Sequence, residues 1–261
     1  MGVTIVVGGF FGDEGKGKIT GYLANHDKPD IIARGGVGPN AGHTIYHNGK
    51  KFGLSQIPCG FVYSNATLYL GAGVLVNPDT FLKEVAETDT DGRIFVDNNC
   101  TVIMPEHIER DKCANSCRIG TTGTGCGPAN EDRVKRIAPL AKDEPKLKGY
   151  VADVALKVNE AIKAGKKVLL EGSQGMGLSL YHGTYPFVTT KDTNASAFCT
   201  DVGIGPKAVD EVIVIFKAYT TRVGEGPFPT EFSEEETKKR GWQEYGTVTG
   251  RARRSGEFDY D

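Results

Sequence analysis

The chain has 261 residues, with 31 Lys and Arg against 33 Asp and Glu, a formal charge of −2 at pH 7. That balance argues against a nucleic-acid or membrane-surface binder, which would show a basic excess, and 39% hydrophobic with 25% charged residues argues against a disordered chain. No apolar run reaches the roughly 18 residues of a membrane span, and the first residues lack the cationic lead and long apolar stretch of a secretion signal. The six cysteines are scattered, which predicts reduced thiols and a cytoplasmic protein. Cys113 and Cys117 are spaced C-x3-C, but no second Cys/His pair follows at zinc-finger spacing. Glycine is the outlier, at 35 residues, close to twice the usual share of about 7%. So much glycine without a collagen period points to tight turns where backbone approaches a ligand.

In chain order, Val3–Gly8 predicts a buried strand, followed by a loop over 9–15 and a helix over Lys16–Asn25. The strand, the glycine loop (Gly8-Gly9-Phe10-Phe11-Gly12-Asp13-Glu14-Gly15), Lys16 and the helix form the physical recipe for a phosphate site: free amides, a helix N-terminus and a cation. Gly12 to Lys18 spells G-x4-G-K, yet Ile19 stands where a P-loop carries its magnesium-binding Ser or Thr. Asp13 and Glu14 are also foreign to a loop that only attracts anions. The bland reading is a tight turn with solvated charges; the preferred one has a carboxylate holding metal or acting as a base beside phosphates.

Ile31–Arg34 predicts a second strand, leading into Gly35-Gly36-Val37-Gly38-Pro39-Asn40-Ala41-Gly42-His43. A histidine in a glycine-dense loop after a strand is a candidate proton donor, whereas His26, His47 and His107 read as structural. Asn48-Gly49 predicts a hairpin turn between Thr44–Tyr46 and Lys51–Gln56. Leu68–Val76 reads as a strand with internal glycines, and Asn77-Pro78-Asp79 starts a helix through Glu87. The Thr/Gly loop 120–128, followed by Arg133 and Arg136, offers anion-binding hydroxyls, amides and guanidinium groups, with a ligand-free polar loop as the alternative. Val151, Val154, Ala155, Val158 and Ile162 fall on one helical face, then Lys167–Glu171 predicts a strand. Gly172-Ser173-Gln174-Gly175 is not a nucleophile elbow, since the serine is one residue early. Glu211–Phe216 predicts another apolar strand and Glu234–Arg240 a polar surface helix. In the loop 246–254, Arg251, Arg253 and Arg254 suit a carboxylate or phosphate ligand, or else form a solvated basic loop. Apolar strands separated by helices predict an α/β fold: a mainly parallel central sheet with helices on both faces, a P-loop-related nucleotide-binding architecture whose ligands sit at the carboxyl ends of the strands.

GDEGKGK, GPNAGHT, TTGTGCGPA, EGSQG with HGTYPFVT, TRVGEGPFPTE and GTVTGRARR occur in that order from residue 4 almost to 256, and together they resemble the adenylosuccinate synthetases, in the compact spacing of archaeal-type members. The resemblance implies a single domain over 1–261 that joins IMP and L-aspartate at the expense of GTP through 6-phosphoryl-IMP. It implies catalytic roles for Asp13, as base toward the IMP N1 proton, for His43, as stabiliser or proton donor, and for Lys16. Mg2+ would be held by Asp13 and the Gly42 carbonyl. GTP and its phosphates would meet Gly12, Glu14, Gly15, Lys16, Gly17, Lys18, Gly42, His43 and Thr44. IMP would meet Asp13, Asn40, Thr122, Gln174, Thr189 and Arg251, with Arg136 reaching the IMP of a neighbouring subunit in a homodimer. Thr247, Thr249, Arg251 and Arg253 would clamp the aspartate carboxylates. Three departures stand out: Phe10-Phe11 replaces a Gln-Trp pair, Ala252 interrupts an arginine run, and the segment with a Lys-x-Asp element that reads guanine is missing after Asp261, which suggests a truncated chain. The competing expectations are a phage-type ligase acting on dGMP, in which serine replaces the loop aspartate, a nucleotide-binding module without turnover, and a P-loop GTPase switch.

Overall fold

The computed structural model describes residues 2–114, 119–247 and 250–258, without the side chains of 113 and 114. Thr249 of the expected aspartate clamp and the Cys113/Cys117 pair therefore lie outside what can be described. Among the described residues the order is β1 (Val3–Gly8), α1 (Lys16–Asp27), β2 (Ile31–Arg34), β3 (His43–His47), β4 (Lys50–Leu54), β5 (Thr67–Leu70), β6 (Leu75–Val76), α2 (Pro78–Thr88), β7 (Ile94–Asp97), β8 (Thr101–Val102) and α3 (Pro105–Ala114). Then follow α4 (Cys126–Lys135), β9 (Val151–Ala152), α5 (Val154–Lys163), β10 (Val168–Glu171), α6 (Ala195–Val202), β11 (Val209–Ile215), β12 (Thr220–Arg222), α7 (Glu234–Lys239) and β13 (Arg254–Gly256).

Seven strands form one sheet in the order β11-β1-β10-β2-β5-β7-β9, and every pairing in it is parallel. The period-2 alternation of each strand divides the core between the two faces. Val3, Ile5 and Val7 of β1 join Val168 and Leu170 of β10 in one cluster, closed by Val154 and Val158 of α5 and by Phe198 and Val202 of α6. Val6 and Leu169 belong to the opposite cluster, closed by Ala24 of α1 and by Phe81 and Val85 of α2. Helices on both faces of a parallel sheet are thus the observed architecture, as expected. No described helix is long and apolar enough to cross a membrane.

Several local expectations also hold. Asn48 (φ 49°) and Gly49 (φ 75°) turn the antiparallel β3–β4 hairpin, and the Asn77 side chain accepts from Thr80 N–H to cap α2. Three boundaries differ. The predicted strand Leu68–Val76 is broken: β5 stays in the main sheet, and after a turn β6 pairs with β8 instead. The predicted helix around 151–162 begins only at Val154, because Val151–Ala152 adds a short strand to β7 and the Asp153 side chain caps the helix start. β11 is apolar from Val212 onward but not enclosed. Among the described residues it forms the sheet edge, paired with β1, and leaves Val212 45% and Val214 47% exposed.

Candidate active site

The carboxyl ends of β1, β10 and β2 lie side by side, with Val6 opposite Glu171 and Glu171 opposite Arg34 in register. The three glycine-rich loops leave from these ends, so the site stands where a parallel sheet opens toward ligands. After β1 the chain turns back through Gly12, whose φ of 93° and 2.6 Å approach (for any added Cβ) to the Gln174 backbone exclude a side chain. Gly15 (φ 97°) takes the N-cap position of α1 with no side-chain cap, leaving a helix N-terminus available to an anion.

A pocket at this end is lined by Gly12, Asp13, Asn40, Gly42, Thr122, Gln174, Thr189, Thr247, Arg251 and Arg253, ten of the residues picked out in the sequence. Asp13 Oδ1, Asn40 Oδ1, His43 Nε2 and Gln174 Oε1 are buried there or close by with no hydrogen-bond partner among the described residues. Buried polar atoms in native proteins are normally hydrogen-bonded, so this group of atoms is available to a polar ligand. Gln174 adopts φ 62°, strained for a non-glycine residue, and donates its Nε2–H to Thr189 Oγ1 at 2.8 Å.

Asp13 is more elaborately supported than its motif suggests. Thr221 donates its hydroxyl to Asp13 Oδ2, and Arg253 Nε lies 3.6 Å from the same oxygen. Lys217 donates to Thr221 Oγ1 at 2.9 Å and to Glu244 Oε1 at 2.7 Å, while Arg253 pairs with Glu244 Oε2. Burial raises the Asp13 carboxyl above its usual range, opposed by Thr221, Lys217 and Arg253. Glu14 points elsewhere. Its carboxylate accepts from Phe10 and Gly12 N–H, both at 2.9 Å, and pairs with Lys16 Nζ at 2.8 Å. Burial pushes it up, but Lys16 and these donors outweigh burial and hold it below the usual range.

The remaining candidates sit around this centre. Lys16 and His43 are enclosed rather than lining the pocket, and Lys18 is exposed. Thr44 Oγ1 lies 3.0 Å from Thr247 Oγ1, joining the β3 entry to the 246–253 loop. Arg251 donates to Gly120 O at 2.8 Å and to Thr121 O, tying that loop to the Thr/Gly loop. Arg136 is exposed at the C-cap of α4 (φ 63°) and does not line the pocket. His107 is buried, accepting from Met104 N–H and meeting Asp132, as a structural histidine should. Thr221, Lys217, Glu244 and Glu171 were given no site role in the sequence. Thr221 opens the recognised TRVGEGPFPTE block, Lys217 lies four residues before it and Glu171 opens EGSQG, but nothing local marks the first two as partners of Asp13 or the third as a partner of His43.

Carboxylate, histidine, buried lysine and clustered arginines around a phosphate-type loop on a parallel α/β sheet define a nucleotide-dependent enzyme of phosphoryl-transfer type. The adenylosuccinate synthetase family model matches residues 5–143 and 137–261. The adenylosuccinate synthetase of Archaeoglobus fulgidus is 64% identical over 261 residues, covering 99% of this chain and 77% of the relative, and that of Methanocaldococcus jannaschii is 57% identical, covering 99% and 76%. Among solved structures, the fully ligated adenylosuccinate synthetase of Plasmodium falciparum superposes with a TM-score of 0.92 at 30% identity, covering 99% of this chain and 72% of that one. The succinoaminodeoxyadenylate synthetase of cyanophage S-2L, bound to dGMP and dATP, gives 0.86 at 26% identity, covering 99% and 79%. The chain belongs to the adenylosuccinate synthetase family. It is a GTP-dependent ligase that joins IMP and L-aspartate to make adenylosuccinate, and the dGMP-acting alternative is not favoured.

Proposed function

We propose that residues 1–261 act as one synthetase-like domain in which Asp13 starts the chemistry. The observation that carries this reading is the buried, unpartnered Asp13 Oδ1 in a pocket shared with Asn40, Gln174 and Thr189. Asp13 takes the N1 proton of IMP, and the 6-oxygen gains the electron density to accept a phosphoryl group from GTP. That step turns a poor leaving group into phosphate, which the aspartate amine then displaces. Asn40, Thr122, Gln174, Thr189 and Arg251 hold IMP, while Thr247, Thr249, Arg251 and Arg253 hold the aspartate carboxylates. Lys16, with Gly12, Glu14, Gly15, Gly17, Lys18, Gly42, His43 and Thr44, forms the phosphate side, and no residue of this span is assigned to the guanine base. Reactions of this kind depend on positioning and electrostatics, which suits an enclosed lysine and histidine.

The hard oxygen of Asp13 and the neighbouring Gly42 fit Mg2+. Bound there, it would neutralise charge on the phosphates. Arg136, exposed and outside its own pocket, suits a role in a partner's site, hence a homodimer. A cytoplasmic setting belongs to the same reading and is supported by Cys59, Cys100, Cys126 and Cys199, which are free and buried among the described residues.

The experiment is a spectrophotometric assay for adenylosuccinate with IMP, aspartate, GTP and Mg2+, run beside one with dGMP replacing IMP. Product with IMP only supports the assignment, and product with dGMP only overturns it. Sedimentation of the IMP-bound enzyme tests the dimer: Arg136→Leu should raise KM for IMP, and a monomer with unchanged KM removes the shared site.

A further inference from the structure

Glu171 ends β10, between β1 and β2, and its side chain is fully excluded from solvent. A carboxylate there is costly unless its oxygens are satisfied. Oε2 accepts from Cys59 N–H at 2.6 Å, and Oε1 is hydrogen-bonded to His43 Nδ1. The His43 side chain is buried as well, its Cβ against Gly17 in the first turn of α1 and its ring near the Cys59 thiol. The charged groups facing the pair are Arg34, which donates to Ala41 O and Ile57 O, and Lys16. An ionised carboxylate only accepts, so the proton of a neutral His43 sits on Nδ1 and the lone pair on Nε2. Nε2 has no partner among the described residues.

From this geometry we infer that Glu171 is the positioning residue of His43: it takes the Nδ1–H hydrogen bond, selects the tautomer, and presents Nε2 as the one ring nitrogen free to meet the phosphoryl group. The arrangement has the logic by which a buried carboxylate orients a catalytic imidazole in hydrolytic triads. His43, Glu171 and Cys59 also bring three potential metal-ligand atoms within 4.8 Å. Both Glu171 oxygens are already engaged, one by the His43 ring and one by the Cys59 amide. The cluster serves orientation.

The inference rests on the assignment of His43 to the phosphoryl group, and the test separates the two. Nitrogen-15 NMR of the imidazoles in the enzyme should show His43 with its proton on Nδ1 at neutral pH. In Glu171→Gln the proton should move to Nε2 or be shared between the two nitrogens. The same variant should lose about 10²- to 10⁴-fold in kcat, with KM for IMP and GTP changed by less than about threefold. A wild-type Nε2–H tautomer overturns the inference, even if the variant does not fold. A folded Glu171→Gln with unchanged tautomer and kcat overturns it too. The predicted tautomer shift in an enzyme whose kcat does not respond leaves the orientation intact and removes the role given to His43.

Discussion

The Lys16 ammonium lies 2.8 Å from Glu14 Oε2, and both side chains are shut off from solvent. Glu14 thereby engages two donors expected to serve nucleotide phosphates, the Gly12 amide and the Lys16 ammonium. A loop that resembles a phosphate cradle carries its own internal anion, and an incoming phosphate has to compete with it.

Removing Lys16 therefore acts on stability as well as on chemistry. Lys16→Met strands a buried carboxylate and should destabilise the fold by about 3–5 kcal/mol. Adding Glu14→Gln to that variant should recover much of the loss without restoring turnover. Urea unfolding of the two variants checks this; a loss below about 1 kcal/mol in the single variant would mean that Glu14 is not held as an anion.

Asp13→Asn keeps the shape of the side chain and removes the base. Turnover should fall by about 10²- to 10⁴-fold, the usual worth of a general base, while calorimetry still detects IMP binding. Near-normal turnover would take Asp13 out of the base role.

Arg251 holds two backbone carbonyls of the Thr/Gly loop, so it couples that loop to the aspartate clamp. Arg251→Leu should raise KM for aspartate at least tenfold, an effect of about 1.4 kcal/mol or more, and KM for GTP far less. Steady-state kinetics with each substrate varied in turn decides it, and equal effects on both would remove the clamp assignment.

Acid should weaken the fold through the His43–Glu171 pair. Burial, with Arg34, lowers His43 from 6.5 to about 4 in spite of Glu171. Its folded-state pKa lies below the unfolded one, so its stabilising share is complete above pH 6.5 and lost as pH falls toward 4. Burial raises Glu171, but His43 and Arg34 outweigh it and hold the carboxyl below 4.5. Its share is likewise lost only below about that pH. Melting temperature should thus fall on acidification from pH 6.5, and His43→Asn, which keeps a donor toward Glu171 but does not titrate, should flatten the stretch between 6.5 and 4.

Much of this protein was legible in its sequence, because local physics writes local patterns. Apolar runs of four to six residues marked β1, β2 and β10; Asn48-Gly49 marked the hairpin, and Asn77-Pro78 marked the start of α2. The ordered glycine motifs marked the loops that meet at the pocket. Misreadings arose where a neighbour in space overruled the pattern. The run from Leu68 to Val76 divides because β8 offers β6 a separate partner. β11 has the composition of an enclosed strand and lies at an edge.

By itself the sequence determined the alternation of strand and helix, the positions of the phosphate-type loops and the family chemistry, all carried by residues near one another along the chain. Only the tertiary structure decided that Thr221 and Arg253 support Asp13, more than 200 residues away, that Glu14 pairs with Lys16 rather than facing the pocket, and that Glu171 holds His43. The Asp13 and Glu171 pairings follow from strand order and burial, since a charge deep in the core must find a partner across the fold and no local pattern records which one; the Glu14–Lys16 pair is local, but burial of both decides that they face each other.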